Sequence, residues 1–172
     1  IMALRLRLPG TACPILTALC LLTAMLTYAM IRAMADLEAE LKRREHEIMK
    51  TLVNAIEMKD TYTRGHSEHV YNIVRLFCAH LHRRRIRSCD PRLMDAALLH
   101  DIGKIGVTGY ILNKQDALTD EEWQIMRSHP EAGKRLLDDA CFGAVGDWVR
   151  YHHERMDGRG YLGLPGERIP VE

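Results

Sequence analysis

With 172 residues the chain has room for one ordinary domain and an appendage, and its 24 basic and 23 acidic residues leave a net charge of +1. That near balance argues against nucleic-acid binding by bulk electrostatics, so no DNA or RNA partner is expected. Five cysteines, none in a C-x-x-C pair, argue against a disulfide scaffold and a structural zinc site and fit a reducing compartment.

The stretch from Pro9 to Ile31 carries no charged residue. Its apolar core, Ile15 to Ile31, sits at the lower limit of length for a spanning helix. Arg5 and Arg7 precede it and Arg32 closes it, so flanking charges do not settle an orientation. A secretory signal peptide is the alternative reading. The length of the run and the helical sequence after it favour a transmembrane helix within the N-terminal segment, residues 1–31.

Residues 32–60 contain no Gly or Pro and are rich in strong helix formers. Met34, Leu41, Ile48 and Ala55 recur in heptad spacing, with Leu37 and Met58 on the same seam and Arg44 and Thr51 interrupting it. Two readings stay open: a connector helix that pairs with its copy in a homodimer, or an amphipathic helix packed on its own domain.

Residues 61–172 read as helices punctuated by turns. Gly65 precedes a helix whose apolar face is Val70, Ile73, Val74, Phe77 and Leu81. The cluster Arg83, Arg84, Arg85 and Arg87 reads as a solvated helix end. Asp90 and Pro91 suit the cap and first residue of the next helix. Thr119 and Glu122 make a capping box, and Pro130 breaks or restarts a helix just after His129. A last helix carries Val145, Trp148, Val149 and His152 on one face. No period-2 alternation of useful length occurs, so the fold class is all-α.

Nine histidines are many for this length. His66, His100, His129 and His152 extend or adjoin apolar helix faces, and Asp101 and His153 sit beside two of them. One histidine on an apolar face is usually an isolated, satisfied core residue. Several imidazoles and a carboxylate buried together would cost several kcal/mol without a partner (~2–7 per unpaired polar group). Divalent metals remove that cost. The N and O donor set, without sulfur, suits Fe, Mn, Zn or a similar metal and disfavours calcium. Asp101 beside His100 can bridge two ions, and two metals activate water and clamp a phosphate. Lys104 follows Asp101 by one turn, where it places a positive charge beside that phosphate.

With these residues in place, the segment LLHDIGKIGV (Leu98 to Val107) resembles the signature of HD-domain metal-dependent phosphohydrolases. KDTYTRGHSEHV, ILNK, LTDEEWQIMRSHPEAG and HHERMDGRGY narrow the resemblance to the HD-GYP subfamily, in its order and spacing from Ile56 onward. The resemblance implies an all-helical domain that hydrolyses cyclic di-GMP to pGpG or GMP at a di- or trinuclear metal centre. By motif position the metal ligands fall on His66, His100, Asp101, His129, His152 and His153. Asp101 and Lys104 carry the catalytic roles, and Lys104, Gly160 and Tyr161 face the substrate. Glu57 and Asp157 are candidate supports behind the ligands. Membrane tethering through the first zone, at the cytoplasmic membrane with the domain in the cytoplasm, fits the same family.

Departures qualify these expectations. Leu162 stands where the subfamily has proline, which loosens the loop. His69 stands where relatives often have Arg and is not expected to be a ligand. Tyr62 stands where some members have a metal-binding Glu, so two metals are expected rather than three. His46, His80 and His82 have no counterpart and read as surface residues. Relatives continue past Glu172 to a further aspartate ligand, so a truncated domain of weak activity is expected. The alternatives are a non-catalytic signalling module and an HD phosphohydrolase of another nucleotide.

Overall fold

A computed structural model describes residues 12–140 and 142–169. The described residues form helices and no strand, as expected: α1 (Ala12–Glu57), α2 (His66–Arg83), α3 (Arg92–Leu99), α4 (Gly109–Leu112), α5 (Asp120–Met126), α6 (His129–Asp139) and α7 (Gly143–Tyr151). Short 3-10 helices cover Ile102–Gly106 and Gly166–Arg168. The chain divides into two compact units, one ending at His46 and one beginning at Glu47.

In the first unit α1 stands as a single helix with apolar side chains exposed, among them Ile15, Leu19, Leu22, Leu26 and Ile31. It is long and apolar enough to cross a membrane. Thr17, Thr23 and Thr27 each donate their hydroxyl to a carbonyl three residues back, at 2.9 Å, so these polar groups are satisfied within the helix. Charged residues begin at Arg32, and Glu40 then pairs with Arg43 and Arg44 along the helix surface.

The second unit is built around α3. Its Ala96, Leu98 and Leu99 pack with Val53, Leu137, Val145 and Val149 into one core, flanked by Met49, Tyr71, Ile102, Phe142 and Trp148. Burying each of the two leucines is worth about 1.5–3 kcal/mol. A smaller cluster of Val107, Ile111 and Leu112 lies under α4 and α5. The unit thus takes in the end of α1, where Val53, Ile56, Glu57 and nearby Asp60 are buried.

Local signals explain most helix boundaries. Thr119 and Glu122 form the expected capping box on α5. Asp90 accepts from the backbone N–H of Arg92 at 2.8 Å and pairs with its guanidinium, holding the entry to α3. Pro130 lies in the first turn of α6, so His129 opens a new helix instead of closing the previous one. The expected apolar face of α2 is only partly buried. Ser67 and Cys78 are buried, Val70, Val74 and Leu81 are half-buried, and Ile73 and Phe77 are exposed. The helix meets α3 along the stripe through Ser67, Val70, Val74 and Cys78, and Ile73 and Phe77 fall to its flank. His80 and His82 are exposed as expected, whereas His46 is half-buried.

One backbone contact fixes the site. A Cβ at Gly103 would lie 1.9 Å from the carbonyl oxygen of His129 and 2.5 Å from the nitrogen of Gly133. Only glycine lets the 3-10 helix after Asp101 press directly on α6. That contact brings Asp101 beside His129.

Candidate metal centre

Three histidines are locked in the same way. The Nδ1 atoms of His100, His129 and His152 lie 2.9, 2.8 and 2.6 Å from the carbonyls of Ala97, Met126 and Val149. A carbonyl only accepts, so each Nδ1 carries the proton and each Nε2 is the free position. The three Nε2 atoms converge on Asp101. His129 lies 3.2 Å and His152 3.9 Å from its Oδ1, and His100 lies 3.4 Å from its Oδ2. The Nε2 atoms of His129 and His152 are 3.4 Å apart.

This arrangement fits a metal. Lone pairs facing a carboxylate, and one another, need positive charge between them. A proton serves at one position, but two Nε2 atoms that close cannot both be protonated. Burial, with the charges of the neighbouring histidines, pushes His152 down to about 3. Burial and His129 push His153 down to about 4, so both rings are neutral at pH 7. Burial works to raise the pKa of Asp101, but His100, His129 and Lys104 outweigh it and hold the carboxyl below the usual carboxylate range. Burial likewise works to lower His100, and Asp101 outweighs it and raises it. Two groups of ligand atoms share Asp101: one with His129, His152 and His153, the other with His66 and His100. The His66 ring makes an edge contact with His100 at 5.3 Å from the exposed rim. All six sequence-derived ligand candidates are therefore brought together, and His69 stays outside both groups.

The supporting residues divide. Buried Glu57 accepts from the N–H groups of Gly65 and Ser67, at 2.5 and 2.9 Å, on either side of His66. It therefore fixes the start of the helix that presents His66. Asp157 does not join the cluster. It pairs with Arg155 at 2.7 Å and accepts from the Arg159 backbone, closing an exposed turn.

Lys104 places its ammonium 2.9 Å from Asp101 and 3.0 Å from Asp60. Burial works to lower its pKa, and the two carboxylates outweigh burial and raise it. Asp60 was not among the sequence-derived candidates. It is only 3% exposed, and Asn113 fixes its turn by donating to the Lys59 carbonyl and accepting from the Thr61 N–H. The motif ILNK, whose asparagine this is, was the available signal.

Glu154 was also missed. It accepts from the N–H groups of Leu162 and Leu164 at 2.7 and 2.9 Å and so folds the glycine-rich loop back on α7. A Cβ at Gly160 would meet the Glu154 backbone at 2.5 Å, so this glycine serves the fold of the loop. Tyr161 then stacks on His153 at 4.2 Å and 22°. The Leu162 N–H bond to Glu154 is one that proline cannot make, so Leu162 ties the loop where loosening was expected.

In this all-helical unit histidines from successive helices converge with one aspartate in an arrangement that can hold a metal ion. The HD domain family matches residues 63–172, and the chain belongs to that family. It is 37% identical over 138 residues to the cyclic di-GMP phosphodiesterase response regulator RpfG of Xanthomonas campestris, covering 77% of this chain and 36% of the relative. It is 38% identical over 128 residues to the cyclic di-GMP phosphodiesterase PA4108 of Pseudomonas aeruginosa, covering 70% and 30%. A 3'3'-cGAMP-specific phosphodiesterase 2 of Vibrio cholerae matches at 33% over 153 residues, covering 85% and 28%. The chain spans about a third of the length of these curated relatives.

Proposed function

We propose that this chain carries the metal centre of an HD-GYP-type phosphodiesterase that hydrolyses cyclic di-GMP. The observation behind the reading is the set of three Nδ1-locked histidines whose Nε2 atoms converge on one carboxylate. Relatives named for cyclic di-GMP hydrolysis support the substrate.

Two divalent ions such as Fe or Mn, held by the two ligand groups that share Asp101, would supply an activated water and stabilise charge on the phosphate. The chain's own residues do the rest. Asp101 and the histidines fix the ligand positions. Lys104, with two of its three N–H groups given to Asp60 and Asp101, keeps one for a phosphate oxygen. Tyr161 holds the rim over His153. Water attacks phosphorus, the bond to the ribose 3' oxygen breaks, and that oxygen takes a proton to give linear pGpG, then GMP if a second cleavage follows.

The apolar part of α1 anchors the chain in the cytoplasmic membrane with the metal centre in the cytoplasm, and its satisfied threonine hydroxyls suit a lipid interior. Met34, Leu37, Leu41 and Ile48, 52–64% exposed, form the seam for pairing α1 with a second copy. Metal analysis and turnover of cyclic di-GMP beside 3'3'-cGAMP test the reading. A protein that binds metal and cleaves only 3'3'-cGAMP would shift the substrate, and one that cleaves neither would sink it.

A further inference from the structure

The rim of the metal centre carries a charged group that the chemistry above does not use. Arg127, at the C-terminal end of α5, is exposed. Its guanidinium lies 5.5 Å from the ring of Trp123, one turn earlier, and 5.6 Å from the ring of Tyr161. Tyr161 stacks on His153. Trp123, Arg127, Tyr161 and His153 thus form a run of planar groups leading from the surface to the ligands.

Several other cations already have carboxylate partners. Lys104 is held by Asp60 and Asp101, Lys114 by Glu122, Arg150 by Glu131 and Arg155 by Asp157. Among the described residues Arg127 has ring contacts but no carboxylate within ion-pair distance and no side-chain hydrogen bond. The two rings flank the guanidinium at cation–π distance, and no carboxylate or side-chain acceptor takes its N–H groups. Such a fork matches the two free oxygens of a phosphodiester.

A cyclic dinucleotide brings two phosphodiesters, and the metal centre with Lys104 accounts for one. We propose that Arg127 binds the second, uncleaved phosphodiester of the substrate, with Trp123 and Tyr161 fixing its orientation. This rests on the cyclic-dinucleotide reading above.

The test compares Arg127→Ala and Arg127→Lys with the full wild-type chain on cyclic di-GMP and on bis(p-nitrophenyl) phosphate, which has a single phosphodiester. Binding of the bis-phosphorothioate analogue of cyclic di-GMP is read separately. Losing a charge-assisted contact predicts KM and analogue Kd raised roughly ten- to a hundredfold in Arg127→Ala, with kcat within about twofold. Arg127→Lys falls between, and metal content and bis(p-nitrophenyl) phosphate kinetics stay unchanged. Equal losses on both substrates, or lost metal, would reduce Arg127 to a prop for Tyr161 and overturn the proposal. Unchanged KM and Kd would also overturn it, as would a loss confined to cyclic di-GMP and absent for cyclic di-AMP, which would assign Arg127 to a base. Wild-type protein that cleaves bis(p-nitrophenyl) phosphate but neither cleaves cyclic di-GMP nor binds the analogue would refute the cyclic-dinucleotide reading itself, a result distinct from any failure of the variants.

Discussion

The floor and the rim of the metal centre are built by different means. The floor, His100, Asp101, His129 and His152, rests on backbone: three Nδ1 contacts to carbonyls and a glycine contact between the 3-10 helix and α6. The rim, His66, His153, Tyr161 and Arg127, rests on side chains: Glu57 under His66, Glu154 under the loop, and ring stacking. A backbone-built floor fixes ligand positions before any ion arrives. A side-chain-built rim can vary with substrate while the floor stays constant.

The largest losses follow changes to the floor. Asp101→Asn removes the charge on which the Nε2 atoms converge and the carboxylate that the two groups of described residues share. Metal content by elemental analysis should fall to background and phosphodiesterase activity by at least a hundredfold, a larger loss than the ~10–100-fold usual for groups behind the ligands. A variant that retained two ions would refute the shared-carboxylate geometry. Gly103→Ala is next. Its Cβ would lie 1.9 Å from the His129 carbonyl oxygen, so the two segments must part. Urea unfolding should show a loss of about 3 kcal/mol or more, in the range of severe overpacking.

Acidification tests a floor residue and a rim residue that are neighbours in sequence. His152, with a side chain 16% exposed, is held at about 3, and the more open His153 at about 4, both below the 6.5 of a free imidazole. Between pH 6.5 and those values the unfolded chain takes up protons that the folded chain refuses, so stability falls as the pH falls. His100, raised by Asp101, opposes this by losing its contribution as pH rises above 6.5. The metal-free protein should therefore lose urea stability between pH 6.5 and 4. His152→Asn and His153→Asn should each flatten that slope. A slope unchanged in either variant would remove that histidine from the account.

The sequence made the floor legible because helix faces and motif spacing are local. His100 and Asp101 close a helix of Ala and Leu, His129 opens one at Pro130, and His152 continues the face of Val145 and Val149. The rim was legible only in part. Asp60 is set by Asn113, distant in sequence, and Glu154 acts on N–H groups of a loop that has no periodicity. Arg127 reads in sequence as an ordinary charge at a helix end, and its role needs the position of Tyr161. The exposure of Ile73 and Phe77 on α2 was hidden for a related reason: an apolar stripe wider than its neighbour shows which residues are apolar, not which edge is covered.

Changes to the rim should leave metal content intact. Glu154→Ala removes the acceptor for the Leu162 and Leu164 N–H groups, and a charged hydrogen bond is worth about 1.5–3 kcal/mol. Part of that returns through water at this half-buried position, so a stability loss of about 1–2 kcal/mol is expected. KM for cyclic di-GMP should rise severalfold as Tyr161 loses its place. Lost metal in this variant would show that the rim also supports the floor.

Leu162→Pro should have the smallest effect, because two opposing terms nearly cancel. The substitution restores the residue expected from the HD-GYP pattern but deletes the N–H that donates to Glu154 at 2.7 Å. Glu154 keeps its bond to Leu164, so the loop retains one of its two ties. Proline also narrows the unfolded ensemble, which returns about 0.4–1 kcal/mol where the native backbone accepts it. Residue 161 must then adopt an extended conformation, the condition on which the sign depends. A net change within about 1 kcal/mol by thermal unfolding, with KM nearly unchanged, is expected. A loss as large as that of Glu154→Ala would mean that the single Leu162 bond holds the loop.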